Sequence, residues 1–122
     1  MWRSRGQVFQ ATVSGAKGKN HLLTFTVDKP GLDLVLYIRA YPLRGMGGED
    51  INMNLSILNP SARPILYKEG EVFRAEIMKD LNTYKYLKKY PFHAEKKGTY
   101  TIRLKVLSDY VSTVSIVVRK EK

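Results

Sequence analysis

From Tyr100 to Val106 the chain alternates strictly, with Tyr100, Ile102, Leu104 and Val106 apolar and Thr101, Arg103 and Lys105 polar between them. Side chains of an extended strand point alternately to its two faces, so this pattern predicts a half-buried β-strand over Thr99 to Leu107. The same period recurs along the chain. Leu32, Leu34, Leu36, Ile38 and Ala40 alternate with Asp33, Val35, Tyr37 and Arg39, the apolar members of the second set predicting partial cover on that face. Ile51, Met53, Leu55 and Ile57 alternate with Asn52, Asn54 and Ser56, and Leu23, Phe25 and Val27 with Thr24 and Thr26. A looser first strand spans Gln7 to Val13, and the apolar run from Val111 to Val118 predicts a last one ending near Arg119.

Turn residues separate these segments: Ser14 to Asn20, Asp28-Lys29-Pro30-Gly31, the three glycines between Pro42 and Asp50, Asn59-Pro60-Ser61 and Ser108-Asp109. Lys68-Glu69-Gly70-Glu71 is expected to turn the chain between Ile65-Leu66-Tyr67 and an irregular strand from Val72 to Met78. Asp80 to Tyr90 fits a short helix with Leu81, Tyr84, Leu87 and Lys88 on one side, or a strand displaying Tyr84 and Tyr86 together; it is too short for periodicity to decide. About eight short strands with no long helical period predict a single all-β domain over residues 1–122, an antiparallel β-sandwich of the jelly-roll or Greek-key type.

A chain of 122 residues with 43% hydrophobic residues buries roughly two-thirds of its unfolded surface, enough for a two-layer core without staples. Cysteine is absent, which excludes disulfides, thiolate catalysis and cysteine-ligated metals and leaves the compartment open. No apolar stretch approaches the ~20 residues of a spanning helix. The Met1-Trp2-Arg3-Ser4-Arg5 start is basic without the apolar region of a signal peptide, so the chain is expected to be cytosolic or trimmed from a longer, membrane-attached protein.

Twenty-one Lys and Arg against eleven Asp and Glu give a formal charge of +10, which predicts attraction to nucleic acid, anionic lipid or an acidic protein, or serves solubility alone. The densest candidate site is Lys79 to Phe92, where tyrosines interleave with lysines. Tyr84, Lys85, Tyr86, Lys88, Lys89 and Tyr90 form the candidate partner-binding set, with rings to stack and ammonium groups to meet anions. The same rings would equally rest on the sandwich with their hydroxyls in water. Asn52, Asn54 and Ser56 make a polar outward face that suits a solvated sheet or carbohydrate recognition. His21 and His93 are the only imidazoles, and no nucleophile motif, carboxylate pair or glycine-rich phosphate loop accompanies them, so neither catalysis nor a cofactor is expected. Glu49 and Asp50 in their glycine loop supply too few oxygens for a calcium shell.

The order of motifs resembles the GOLD domain, the β-sandwich of cargo receptors in the early secretory pathway. The matching pieces are Asp50-Ile51-Asn52-Met53-Asn54-Leu55 leading into Asn59-Pro60-Ser61 and Ile65-Leu66-Tyr67, then Phe92-His93-Ala94, Gly98-Thr99-Tyr100 and an apolar closing strand. The pre-peptidase C-terminal domain, a secreted sandwich appended to proteases, shows a similar order. The receptors' disulfide cysteine would fall within Arg103 to Val106, where this chain has none. The resemblance implies a sandwich used for protein or surface binding. The expected function is therefore a non-enzymatic module for a protein partner, with a nucleic-acid-binding protein and a coat-like assembly subunit as alternatives.

Overall fold

The computed structural model describes residues 6–78 and 83–121; the basic start and Lys79, Asp80 and Leu81 of the candidate segment lie outside the described residues. Among the described residues nine strands account for the fold: β1 (Gln7–Ser14), β2 (Asn20–Val27), β3 (Leu32–Pro42), β4 (Ile51–Leu58), β5 (Pro64–Phe73), β6 (Glu76–Met78), β7 (Thr83–Ala94), β8 (Gly98–Val106) and β9 (Val111–Lys120). They form two sheets, sheet A in the order β1-β9-β3-β7-β6 and sheet B in the order β2-β8-β4-β5. Every pairing is antiparallel. The chain is thus the antiparallel β-sandwich that its period-two pattern predicts, and no helix occurs among the described residues.

Alternation sorts the side chains. Leu34, Leu36, Ile38 and Ala40 of β3, Val114, Ile116 and Val118 of β9, and Tyr86, Tyr90 and Phe92 of β7 face inward from sheet A. They meet Phe25 and Val27, Tyr100 to Val106 at even positions, and Ile51 to Ile57 at odd positions from sheet B. Phe25 sits where the layers touch: its ring stacks on Tyr100 at 5.5 Å, meets Phe92 edge-on at 6.3 Å and lies 5.9 Å from Phe9.

One segment departs from the sequence expectation, and a second, open between helix and strand, takes one of its two forms. Lys68 to Glu71 does not turn the chain; β5 runs through it, with a register shift opposite Met53 and Leu55. Gly70 takes a φ of 63° there and its N–H donates to Asn54 Oδ1 at 2.7 Å. A glycine suited to a turn serves equally to build a bulge, and the side chain that holds it lies sixteen residues away, beyond any local pattern. Thr83 to Tyr90 is strand, not helix, since β7 pairs with β3 from Leu32↔Ala94 to Ala40↔Tyr86.

Where β5 of sheet B passes β7 of sheet A, Glu71 Oε2 accepts from Tyr90 Oη at 2.8 Å and from Lys88 Nζ at 3.1 Å. Burial pushes the Glu71 carboxyl up, but these two hydrogen bonds and the Lys88 charge outweigh it and hold the group below its ordinary value of 4.5. Burial, then the bond to Glu71, pushes the Tyr90 hydroxyl well above the ordinary phenol range. A carboxylate with a depressed folded pKa contributes stability that is present above the unfolded value and lost as pH falls through the folded one. The thermal midpoint should therefore fall below about pH 4.5, and Glu71→Gln should lose that part of the acid dependence while starting from a lower midpoint at neutral pH. Melting curves at ~pH 3 and ~pH 7 check it, and an unchanged acid dependence in the variant would remove Glu71 from the account.

Candidate functional site

The outward positions of sheet B assemble a polar floor. Register places Leu22 opposite Arg103, Arg103 opposite Ser56, and Ser56 opposite Tyr67, so four side chains from β2, β8, β4 and β5 form one row across the sheet. A second row runs Asn20, Lys105, Asn54. The rows line an open trough of about 470 Å³. Leu22 and Tyr67 stand at its two ends and are 67% and 65% exposed, unusually so for such apolar side chains. Three inter-strand spacings separate them, about 14 Å.

Local sequence explains the placement. Leu22-Leu23 is an apolar doublet in an alternating strand, and since Leu23 packs on the core, Leu22 must face out. Asn54 fixes the Gly70 bulge of β5, the strand that carries Tyr67. The Tyr67 hydroxyl donates to Glu69 Oε2 at 2.7 Å, and that bond, with the carboxylate charge, pushes the phenol pKa up. The ring is thereby tethered by its rim, while both it and Leu22 present apolar surface to solvent. Arg103 and Lys105 donate, Ser56 and Asn20 donate and accept. Apolar platforms flanking dense hydrogen-bonding groups match the surface of a pyranose ring, which has an apolar C–H face and a rim of hydroxyls.

The candidate set drawn from the sequence does not come together on one face. Tyr86 is 0% exposed and Tyr90 5%, both rings lying inside the sandwich, where they can stack on no ligand. This corrects their assignment as partner-binding residues, because β7 alternates and its even positions face the core. Tyr84 keeps 37% of its surface, but its ring lies against the glycine loop: a Cβ at Gly47 would come within 2.5 Å of Tyr84 Cδ2. Lys88 is taken up by Glu71. Lys85 and Lys89 alone point outward, on the far side of sheet A from the trough. The protein-partner expectation, which drew on this segment as well as on the GOLD resemblance, loses the Tyr86 and Tyr90 rings.

The other candidate residues are structurally occupied. A ring nitrogen of His21 lies 2.9 Å from the Ser14 carbonyl oxygen, and His93 Nδ1 lies 2.7 Å from Asp33 Oδ1 on the other sheet. Asp50 Oδ2 is 3.6 Å from Arg74 Nη1. Among the described residues no group of three or more His, Asp or Glu side chains is placed to hold a metal ion. Leu22, Tyr67, Asn20, Arg103 and Lys105 are site residues that sequence reasoning missed; the doublet was the available signal for Leu22, strand alternation showed only that Arg103 and Lys105 face outward, and nothing local marked Tyr67.

No protein-family model and no curated protein sequence matches the chain. Among solved structures it is similar to a carbohydrate-binding module with specific mannan recognition, at a TM-score of 0.55 and 14% identity over 91% of this chain and 71% of that one. It is also similar to part of a Bacillus licheniformis lipase in propeptide form, at 0.61 and 11% over 100% of this chain, and to part of a GH115 4-O-methyl-α-glucuronidase with specificity for decorated arabinogalactans, at 0.56 and 16% over 93%. The chain spans 23% of the lipase and 14% of the glucuronidase. At these identities the likeness establishes the fold: an antiparallel β-sandwich of the kind that carbohydrate-binding modules share, with the GOLD and pre-peptidase resemblances supported at the level of the sandwich only.

Proposed function

We propose that this domain is a non-enzymatic carbohydrate-binding module that holds an oligosaccharide across the outer face of sheet B. The observation that carries the reading is the row Leu22, Arg103, Ser56 and Tyr67, in which two exposed apolar platforms about 14 Å apart flank hydrogen-bonding side chains on a rigid sheet. That span accommodates two or three sugar rings, the outer two resting their C–H faces on Tyr67 and Leu22 while hydroxyls along the chain meet Arg103 and Lys105, with the largely buried Ser56 in the floor between them. A rigid β-sheet floor keeps the ordering cost of binding low. The mannan-recognising neighbour supports a sugar ligand over the protein partner expected from the sequence.

Titration calorimetry against mannan, xylan, arabinogalactan and glucan oligosaccharides tests this. At least one should bind, and Tyr67→Ala should weaken it about tenfold, equivalent to about 1.4 kcal/mol, without moving the thermal midpoint by more than a degree or two. Arg103→Ala should weaken it by a similar factor. Absence of binding across the panel, or binding indifferent to Tyr67, would reject the trough as a sugar site.

A further inference from the structure

The opposite side of the sandwich carries a different chemistry. On the outer face of sheet A, Arg119 of β9 lies level with Val35, Lys89 of β7 level with Tyr37, and Leu87 level with Arg39 on β3, with Lys85 two residues further along β7. Arg119, Lys89, Arg39 and Lys85 therefore descend the face in steps of two residues, about 7 Å each, a ladder of cations about 20 Å long running parallel to the strands. Arg119, Arg39 and Lys85 border a shallow trough of about 300 Å³ floored by Tyr37, Tyr41, Leu87 and Val117, and Lys89 stands over the Tyr37 ring.

None of the four forms a salt bridge among the described residues. The acids on this face are peripheral: Glu76 stands across from Lys85 on the edge strand β6, while at the far end Asp33 is engaged by His93 and Glu121 lies beside it, its N–H donating to the Asp33 carbonyl. The cations rest on rings instead, Lys89 and Arg119 each 5.7 Å from the centroid of Tyr37 and Arg39 4.9 Å from that of Tyr41. The Nε–H of Arg39 is buried with no hydrogen-bond partner among the described residues. Like charges held side by side, with acids only at the two ends of the row, focus a positive potential along the ladder.

We propose that this face is a second binding surface, for a linear anionic polysaccharide lying along the strands with its carboxylates on Arg119, Lys89, Arg39 and Lys85. The inference does not rest on the sheet B reading, since the two surfaces share no residue. Charge complementarity calls for a polyanion, and the state of the rings selects among them. Nucleobases gain their affinity by stacking on free aromatic faces, but Tyr37 is capped by two cations and Tyr41 by one. A polyuronate needs no free ring: each sugar offers a carboxylate to an arginine fork or an ammonium.

The test is affinity electrophoresis and biolayer interferometry with polygalacturonate, with mannan and a dT15 oligonucleotide alongside, at ~50 and ~150 mM salt. Polygalacturonate should bind and weaken with salt, and Lys89→Gln/Arg119→Gln should lose about tenfold or more in affinity and flatten the salt dependence. Tyr67→Ala should leave polygalacturonate binding intact, which separates this face from the sugar trough. Arg119→Lys should lose clearly less than Arg119→Gln; equal losses would show an effect transmitted through Tyr37 packing and overturn the proposal. So would undiminished binding by the double variant, or dT15 binding more tightly than polygalacturonate at the same salt. If circular dichroism shows the double variant unfolded, the single Lys89→Gln variant is read by the same criteria.

Discussion

Phe25→Ala is expected to destabilise the domain by about 3–5 kcal/mol, a large share of the ~5–15 kcal/mol that holds a typical domain together. The ring is the contact through which the sheets recognise each other: it projects from β2 of sheet B, stacks on Tyr100 beside it and reaches Phe9 and Phe92 of sheet A. Truncation leaves a void bounded by three rings whose backbones are pinned in ladders, so the site cannot collapse and the cavity term adds to the lost transfer energy. Urea denaturation should show a shifted midpoint with an unchanged slope, and the thermal midpoint should fall on the order of 10–20 °C. A loss below about 1 kcal/mol would mean that the layers are held elsewhere.

Tyr86→Ala should cost a similar ~3–5 kcal/mol, and for a second reason as well. Besides filling the core at 0% exposure, Tyr86 accepts a hydrogen bond at its hydroxyl from the Gly48 N–H at 2.9 Å. Burial pushes this phenol's pKa up, with the Gly48 donor working the other way. The side chain thus anchors the glycine loop to the sandwich from beneath, while Tyr84 covers it from the side. Tyr86→Phe separates the two roles: it keeps the ring, should cost only about 1–2 kcal/mol, and should speed hydrogen exchange at the Gly48 amide. Had the ring been a ligand platform, Tyr86→Ala would leave stability untouched; the structure places it where that outcome is excluded.

Tyr86 also shows how far the sequence could be read. Period two is an intrinsic property of a strand, so wherever alternation was clean, as in Tyr100 to Val106 or Ile51 to Ile57, strand, inward face and sandwich followed directly. The 83–94 segment alternates as well, but tyrosine and lysine at its inward positions disguise it: Tyr84, Tyr86, Lys88 and Tyr90 read as a surface although they share the parity of Phe92. Lys88 is tolerated inward because Glu71 meets it from the other sheet, a partner seventeen residues away that no local pattern reveals. Gly70 misled for the same reason.

The sites were less legible than the fold. Both surfaces are defined by register, which depends on which strands become neighbours. Leu22, Arg103, Ser56 and Tyr67 are remote in sequence and become a row only once β2, β8, β4 and β5 lie side by side. The outward polarity of Asn54, Ser56, Arg103 and Lys105 was visible strand by strand. Their convergence was not. Arg39 and Arg119 were likewise counted in the net charge with no indication that they belong to one ladder.

The central place of β9 in sheet A has a consequence for how the chain is made. β9 lies between β1 and β3, so Gln7 meets Arg119, and Leu36 meets Val118. A ribosome delivers the last strand only after the other eight have emerged, and until then β1 has no neighbour in its sheet and β3 lacks one of two. Completion of sheet A must wait for contacts between strands at the two ends of the segment, long-range pairing of the kind that slows all-β folding. During that interval the apolar inner faces of β1 and β3 stand open at unpaired edges, the state in which nascent sandwiches are most apt to join a neighbouring chain. Synthesis of this domain therefore ends on a late step in which β9, acting as the closing strand, joins β1 to the rest of sheet A.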